Sequence, residues 1–442
     1  MGRVRFYTAL ILSKLAYFAI RILKNSGGTS FAGMLALKIC PNFLYYCKKY
    51  AKHIITITGT NGKTTTSGIL ASILEKEESR VIHNVKGANM LTGIANIFAL
   101  NLPSKPFDFA VLESDEAYLN KLYDYMPADF LIVTNLFRDQ LDRYGELSTT
   151  ASFIQKGIDK ASPILILNAD DPLVSNLGNN KEAFYYGFEN VEFYSNSHKS
   201  ISRAPTENFS CVCGDELKYD KQFFAQEGHY YCPKCGYKRR IPDFKAYAKI
   251  YDDYSEIKVI FENREYDFKL NLTGLYNAYN ALGAISCALF FETPYEIIKD
   301  ALQSYKSIFG RTEKRLINGH EALIQLIKNP TGASEVLKTV DLNSNIVIAI
   351  NDNYADGRDI SWLWDSDFEQ LKNAEKRVIT SGTRAKDMAV RLKYAGVAQD
   401  RILVEENIKK ALELASEGDA EERITILPSY TALLEITKMR DI

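Results

Sequence analysis

The sequence predicts an α/β protein of two doubly wound domains, and three observations predict it. From His53 onward, short apolar runs rich in β-branched residues alternate with helical patterns, as in a parallel sheet covered by helices. The alternation restarts beyond Phe309-Gly310-Arg311 with a second, shorter set of runs. Near Pro205 to Pro242 a polar stretch with Gly, Tyr and four cysteines breaks the first series, which resumes with the alternating segment Ser255 to Leu270. That stretch is therefore an insertion within a domain and not a boundary between domains.

In order, the first series places buried strands at His53 to Gly59, Phe107 to Ser114, Ala128 to Asn135 and Ile164 to Asp170. The second places them at Asn345 to Asn351, Arg377 to Ser381, Arg401 to Glu405 and Ile424 to Pro428, with a helix over Arg384 to Tyr394. The 442 residues exceed one ordinary core. They divide into an N-terminal helical segment over 1–50, a central domain over 51–308 with the insertion at about 205–242, and a C-terminal domain over 311–442. Lys and Arg number 54 against 55 Asp and Glu, so no overall field recruits nucleic acid or anionic lipid. The apolar stretch Phe6 to Leu23 is interrupted by Lys14 and Arg21 at helical spacing and precedes no small-residue cleavage site. It predicts an amphipathic helix packed on the protein, with membrane-surface docking as the alternative.

Ile54-Ile55-Thr56-Ile57-Thr58-Gly59-Thr60-Asn61-Gly62-Lys63-Thr64-Thr65-Thr66 is an apolar strand, a glycine turn and a helix start. Such a turn aims backbone N–H groups and a helix N-terminus at phosphate oxygens. Lys63 is placed to meet the terminal phosphates, and the Thr64 hydroxyl to meet Mg²⁺. Ile57 stands where the usual phosphate loop has its first glycine, so the loop is a shortened variant.

Cys211-Val212-Cys213-Gly214 and Cys232-Pro233-Lys234-Cys235-Gly236 form two knuckles whose thiolates can close on a structural Zn²⁺. The first pair is spaced by one residue instead of two, and His229 is a bystander to the set. Cys40, Cys47 and Cys287 sit in apolar surroundings and read as buried thiols in a reducing cytoplasm. Past the strand Asn345 to Ile350, the loop Asn351-Asp352-Asn353-Tyr354-Ala355-Asp356-Gly357-Arg358-Asp359 puts three carboxylates at the carboxyl end of a parallel strand. Composition leaves a solvated turn and a ligand site equally open there.

The loop Gly59 to Thr65 resembles that of the Mur ligase superfamily. Other segments extend the resemblance over nearly the whole chain: Asn168-Ala169-Asp170-Asp171-Pro172, Gly274-Leu275-Tyr276-Asn277-Ala278-Tyr279-Asn280 and Gly310-Arg311 at the domain junction. The resemblance implies a central ATP-binding domain carrying a four-cysteine zinc ribbon, followed by a Rossmann-like domain. It implies ATP contacts from Gly59, Thr60, Asn61, Gly62, Lys63, Thr64, Thr65, Asn168, Asp171, Asn277 and Arg311. It also implies that Mg²⁺ is shared by Thr64 and Glu113, the acid at the end of the second strand. Gln140, Gln325 and Lys328 stand where amino-acid-adding Mur ligases have His, Asp and His, and these departures agree with an amidating branch of the superfamily.

That branch implies ATP-dependent amidation of the D-glutamate α-carboxylate in the lipid-linked peptidoglycan precursor. Lys63 and Glu113 serve the activation, and ammonia comes from a GatD-like glutaminase bound as a heterodimer against the C-terminal domain. In that resemblance Asp359 completes the catalytic triad of the glutaminase, with Asp352 and Asp356 as alternatives. The expected location is cytoplasmic, with contact to the inner membrane face through the substrate. The rivals are an amino-acid-adding ligase of the Mur or folylpolyglutamate type and a nucleotide-binding scaffold without chemistry.

Overall fold

A computed structural model describes residues 2–24, 30–84, 88–103, 105–137, 147–194, 210–211, 213–251, 253–306, 313–418 and 422–439. The chain divides into two compact units. The larger holds the described residues up to Leu136 and from Leu147 to Lys306, and the smaller is built on those from Glu313 onward.

The larger unit is a nine-stranded sheet. Its strands are β1 (Ala51–Thr58), β2 (Val81–His83), β3 (Phe107–Glu113), β4 (Phe130–Val133), β5 (Ile164–Asn168), β6 (Ala183–Phe193), β9 (Phe244–Ile250), β10 (Ser255–Phe261) and β11 (Arg264–Leu270). Their order across the sheet is β11-β10-β9-β6-β5-β4-β1-β3-β2. All pairings from β2 through β9 are parallel, and β10 and β11 close the edge antiparallel. The alternating segment Ser255 to Leu270 is thus two strands and not one. Its period runs unbroken through a two-residue turn at Glu262 and Asn263, both at positive φ.

One face of the sheet is covered by a core in which Ile54, Ala110, Leu112 and Leu131 meet three N-terminal helices: α1 (Gly2–Lys24), α2 (Phe31–Ile39) and α3 (Phe43–Cys47). The helix expected over Phe6 to Leu23 is therefore real, and its Phe6, Ala9 and Leu10 are buried in that core. Elsewhere α4 (Lys63–Lys76) packs against the almost wholly buried helix Leu275–Phe290, named α9 here. Between them in sequence lie α5 (Leu91–Asn101), α6 (Glu116–Leu122), α7 (Leu147–Ala161) and α8 (Pro172–Leu177), and α10 (Tyr295–Ser304) follows α9. Cys40, Cys47 and Cys287 are buried free thiols, as expected. No helix among the described residues is long and apolar enough to cross a membrane.

The insertion lies between β6 and β9, which pair directly with each other. It carries a two-stranded hairpin, β7 (Lys218–Phe224) and β8 (Glu227–Tyr231).

The smaller unit is a six-stranded sheet of order β12-β13-β17-β14-β15-β16. Its strands are β12 (Glu313–Ile317), β13 (His320–Ile324), β14 (Asn345–Ala349), β15 (Val378–Ser381), β16 (Ile402–Val404) and β17 (Ile424–Pro428). β12 and β13 form a hairpin and the other pairings are parallel. Alternation along β14 shows the double winding: Ile346 and Ile348 join one apolar core, whereas Val347 and Ala349 join another. The helices are α11 (Pro330–Leu337), α12 (Ala385–Tyr394), α13 (Ile408–Ala415) and α14 (Tyr430–Lys438).

Candidate functional site

In both sheets the strand order reverses beside a central strand, β1 in one and β14 in the other. Open parallel sheets hold ligands in the crevice at the carboxyl ends of such strands. The phosphate loop follows β1, Glu113 ends β3, and Thr134 and Asn135 follow β4 beside it.

The loop is held in shape by bonds from its own neighbours. Asn135 holds it twice: its carbonyl accepts from the Thr60 amide and its side chain from the Asn61 amide, each at 2.9 Å. The Thr134 hydroxyl donates to the Asn61 carbonyl at 2.7 Å. Gly59 and Gly62 take φ of +126° and +86°. At Gly59 a Cβ would lie 2.3 Å from the Thr134 hydroxyl, and at Gly62 it would lie 1.8 Å from Asn280 Oδ1. Both positions therefore require glycine, for backbone sign and for space. Gly62 is the residue before α4, whose first-turn amides have no intrahelical acceptor and carry the positive end of the helix dipole. The cradle fits a polyphosphate.

Lys63 is buried, and its ammonium donates to the carbonyls of Gly59 and Thr60 and to Glu116 Oε1, the last at 2.9 Å. Burial opposes its charge, but Glu116, Asp115 and Glu113 outweigh it and hold the amine above its ordinary pKa. Lys63 is thus a fixed cation held on a carboxylate beside the loop. Thr64 and Glu113, the two residues expected to share Mg²⁺, meet directly, the hydroxyl donating to Glu113 Oε2 at 2.8 Å. Asn84 fixes Glu113 by pairing with both its peptide N–H and its carbonyl at 2.8 Å, and Asn89 donates to Glu113 Oε1 at 3.4 Å. A threonine hydroxyl, a carboxylate and a nearby amide are the hard oxygen donors that Mg²⁺ takes.

Sequence reasoning missed Glu116, Asn84 and Asn89. Glu116 had a signal, being the third acid of Glu113-Ser114-Asp115-Glu116 at a strand's carboxyl end. The two asparagines had none. In the Gly274 to Asn280 segment, Asn280 lies against Gly62 of the loop, and Asn277 donates to the Thr273 carbonyl at 2.8 Å within its own turn. Arg311 and Gln140 lie outside the described residues.

Asn168 and Asp171 are fully buried. Asp171 caps α8, accepting from the Leu173 and Val174 amides, and its other oxygen accepts from the Leu136 amide at 2.8 Å. Burial pushes its carboxyl up to about 6. Both residues are gripped by the β7–β8 turn. Gln226 donates to the Leu136 carbonyl and to Asp171, and Glu227 accepts from the Asn168 amide at 2.7 Å. Beside them Arg239 pairs with the buried Asp170 at 2.6 Å. The insertion is therefore wedged behind the segment expected at the nucleotide.

At its far end the sulfurs of Cys211, Cys213, Cys232 and Cys235 all lie within 4.8 Å of one another. Tetrahedral thiolates at a Zn–S distance of about 2.3 Å sit roughly 3.8 Å apart, so the cluster suits that ion. Gly214 and Gly236, at φ of +84° and +75°, turn the chain behind each knuckle. His229 points elsewhere, to the Phe188 carbonyl at 2.9 Å.

In the smaller unit the three loop carboxylates differ. Asp352 accepts from the Thr383 hydroxyl at 2.8 Å and from Arg384 at 2.7 Å, and these two donors depress its pKa. Asp356 is buried, with its oxygens on the Thr431 amide and hydroxyl and on the Asn353 amide. Asp359 is half-buried and uses one oxygen on the Ser361 amide at 2.8 Å, with no bond from its second oxygen among the described residues. Gln325 is buried and donates to Thr339 at 3.2 Å.

A parallel-sheet unit with a glycine-lysine-threonine loop is built for a nucleotide, and comparison with known proteins places it among the Mur ligases. The Mur ligase middle domain family matches residues 57–222, and the MurT ligase C-terminal family matches residues 326–433. Lipid II isoglutaminyl synthase (glutamine-hydrolyzing) subunit MurT of Streptococcus pneumoniae (strain ATCC BAA-255 / R6) is 33% identical over 437 residues, covering 97% of this chain and 96% of that protein. The subunit of the same name from Staphylococcus aureus (strain COL) is 35% identical over 436 residues, with coverage of 97% and 96%. Among solved structures, a pseudomurein peptide ligase type C from Methanothermus fervidus superposes with a TM-score of 0.68 at 24% identity, over 87% of this chain and 79% of that one. The chain belongs to the MurT family of Mur ligases. The family resemblance carried by the Gly59 to Thr65 loop is borne out.

Proposed function

We propose that the protein is the ATP-using subunit of a glutamine-dependent enzyme that amidates the D-glutamate α-carboxylate of lipid II to D-isoglutamine. The observation that carries this reading is a nucleotide cradle, with Lys63, Thr64 and Glu113 assembled, in a chain that also bears a strand-end loop whose Asp359 uses only one oxygen among the described residues.

ATP lies with its phosphates on the first-turn amides of α4, and Lys63 neutralises charge on the transferring group. Thr64 and Glu113 would hold Mg²⁺, which when bound would add charge neutralisation at the phosphate oxygens. A carboxylate oxygen of the substrate attacks the γ-phosphorus and ADP leaves, giving an acyl phosphate. Ammonia adds to the carbonyl carbon, phosphate leaves with the electron pair of the broken C–O bond, and a proton is lost to form the amide. A GatD-like glutaminase supplies the ammonia as a heterodimer partner, and the C-terminal domain presents Asp359 to its catalytic histidine. Asp352 and Asp356 are already committed to bonds within their own unit, which favours Asp359. Zn²⁺ on the four cysteines is structural. The reaction takes place at the inner membrane face, where a lipid-linked substrate resides.

The amino-acid-adding rival is disfavoured by Gln325, a neutral amide where such ligases place an acid. The test uses the reconstituted heterodimer with lipid II and ATP, supplied with glutamine, ammonium or amino acids. Phosphate release coupled to amide formation is expected with the first two. Amino-acid incorporation, or ATP binding without turnover, would overturn the reading.

A further inference from the structure

α1 is apolar on two faces. Phe6, Ala9 and Leu10 enter the core, yet on the opposite side Val4, Ile11, Leu15 and Phe18 stand 71, 60, 60 and 56% exposed, with Tyr7 and Leu12 among them. Spacings of three and four residues keep these on one stripe along the helix. Phe31 and Met34 of α2, which packs along α1, are exposed as well. Scattered apolar residues on a surface are ordinary, but a contiguous stripe marks a surface that something covers.

Charge says what covers it. The first 52 residues hold nine of the chain's 54 Lys and Arg and none of its 55 Asp and Glu, which leaves 45 against 55 in the remainder. The near-neutral total thus conceals a cationic N-terminal segment on an anionic body. Arg3 and Arg5 are exposed on α1 beside the stripe. A second copy of the chain would bring this cationic surface against itself. An anionic bilayer complements both features, because cations near its surface gain from the lipid charge while apolar side chains enter the headgroup and acyl boundary.

We propose that α1 is an interfacial helix that docks the enzyme on anionic lipid, lying in the plane of the bilayer with the stripe from Val4 to Phe18 inserted and Arg3 and Arg5 at the phosphates. It anchors without spanning, since no described helix is fit to cross. The inference goes beyond the amidation reading; its functional benefit rests on that reading, whereas its vesicle test does not. Docking restricts the enzyme to the surface that carries a lipid-linked substrate, raising the encounter rate without a contact to that substrate.

The experiment is co-sedimentation of the full heterodimer with vesicles of phosphatidylcholine alone or mixed with phosphatidylglycerol, none containing the precursor. Wild type should sediment with the mixed vesicles and be released by salt. The double variant Ile11→Ser with Leu15→Ser removes only exposed side chains, so it should fold, and its partitioning should fall on the order of 100-fold. Arg3→Ser with Arg5→Ser should weaken binding by about fivefold per cation. ATP-dependent amidation of a detergent-dispersed substrate should be unchanged in both variants, which separates this test from that of the ligase reading. Equal sedimentation with the two vesicle types, or variants that bind like wild type, would overturn the proposal. So would variants that change the mass of the complex in light scattering instead of vesicle binding, since the stripe would then be a protein interface.

Discussion

Replacing Gly62 with Ala tests the geometry of the nucleotide cradle at its tightest point. The residue sits at φ +86° and ψ −12°, a left-handed conformation that costs an L-residue about 1–2 kcal/mol. Its Cβ would also lie 1.8 Å from Oδ1 and 2.8 Å from Cγ of Asn280, which is buried in α9. Relieving that overlap means displacing the amide or the loop, and such overpacking costs about 1–3 kcal/mol. Together the two effects predict a loss of roughly 2–5 kcal/mol. In a unit of this size that lowers the unfolding midpoint by on the order of 5–10 °C. Because Gly62 leads directly into the amides of the first turn of α4, ATP affinity should fall with it. Calorimetry would measure both. The decisive variant is Gly62→Ala in an Asn280→Ala background, which removes the steric part and leaves the backbone part. The coupling between the two sites should recover at least about 1 kcal/mol. A single variant with unchanged midpoint and affinity would refute the account of Gly62, and a cycle without coupling would refute the role given to Asn280.

Lys63→Ala should abolish ATP turnover in the heterodimer while the fold survives, since Asn135, Thr134 and two glycines hold the loop without it; retained turnover with ammonium would remove Lys63 from the chemistry. Cys232→Ser should lower zinc content by elemental analysis and, because the β7–β8 turn grips Asn168 and Asp171, should also weaken nucleotide binding severalfold; full metal content, or metal loss with unaltered affinity, would sever that link. Asp359→Asn should collapse glutamine-dependent amidation, by up to about 10⁴-fold if it acts as a triad aspartate does, while ammonium-driven amidation persists. If both fall with the heterodimer intact, Asp359 serves the synthetase chemistry instead.

The phosphate loop was legible because strand, glycines, lysine and helix are contiguous, so short-range order alone carries the signal. The parts that hold it were not: Asn84, Asn89 and Asn280 act from distant elements, and a lone asparagine has no pattern to betray it. The hairpin β12–β13 is a different kind of omission. Its Asn318-Gly319 turn, with φ of +49° and +87°, is a strong local hairpin signal that lay in plain view between two apolar runs. Strands β6 and β9 escaped because the insertion separates two segments that pair only once the sheet is assembled. That the four cysteines belong together was readable from their spacing, and their sulfurs do converge, but the wedge formed by Gln226 and Glu227 was not readable, since nothing in a polar turn says what it leans on.

The three loop aspartates show what geometry adds to a motif. All are the same residue at the same strand end, and composition treats them alike. Asp356 is spent on the start of α14, binding the Thr431 amide and hydroxyl, so removing its charge would first loosen that helix. Asp352 is spent on Arg384 and Thr383. An aspartate that serves a histidine on another chain must keep an oxygen free of its own fold while being held steady enough to orient the ring. Asp359 meets both conditions, since one oxygen is fixed on the Ser361 amide and the other takes no bond among the described residues. The same reasoning predicts an order of damage: Asp356→Asn should reduce stability more than activity per folded molecule, and Asp359→Asn should do the reverse. A variant set in which stability and glutamine use fall in parallel at all three positions would show that the loop acts as one structural element.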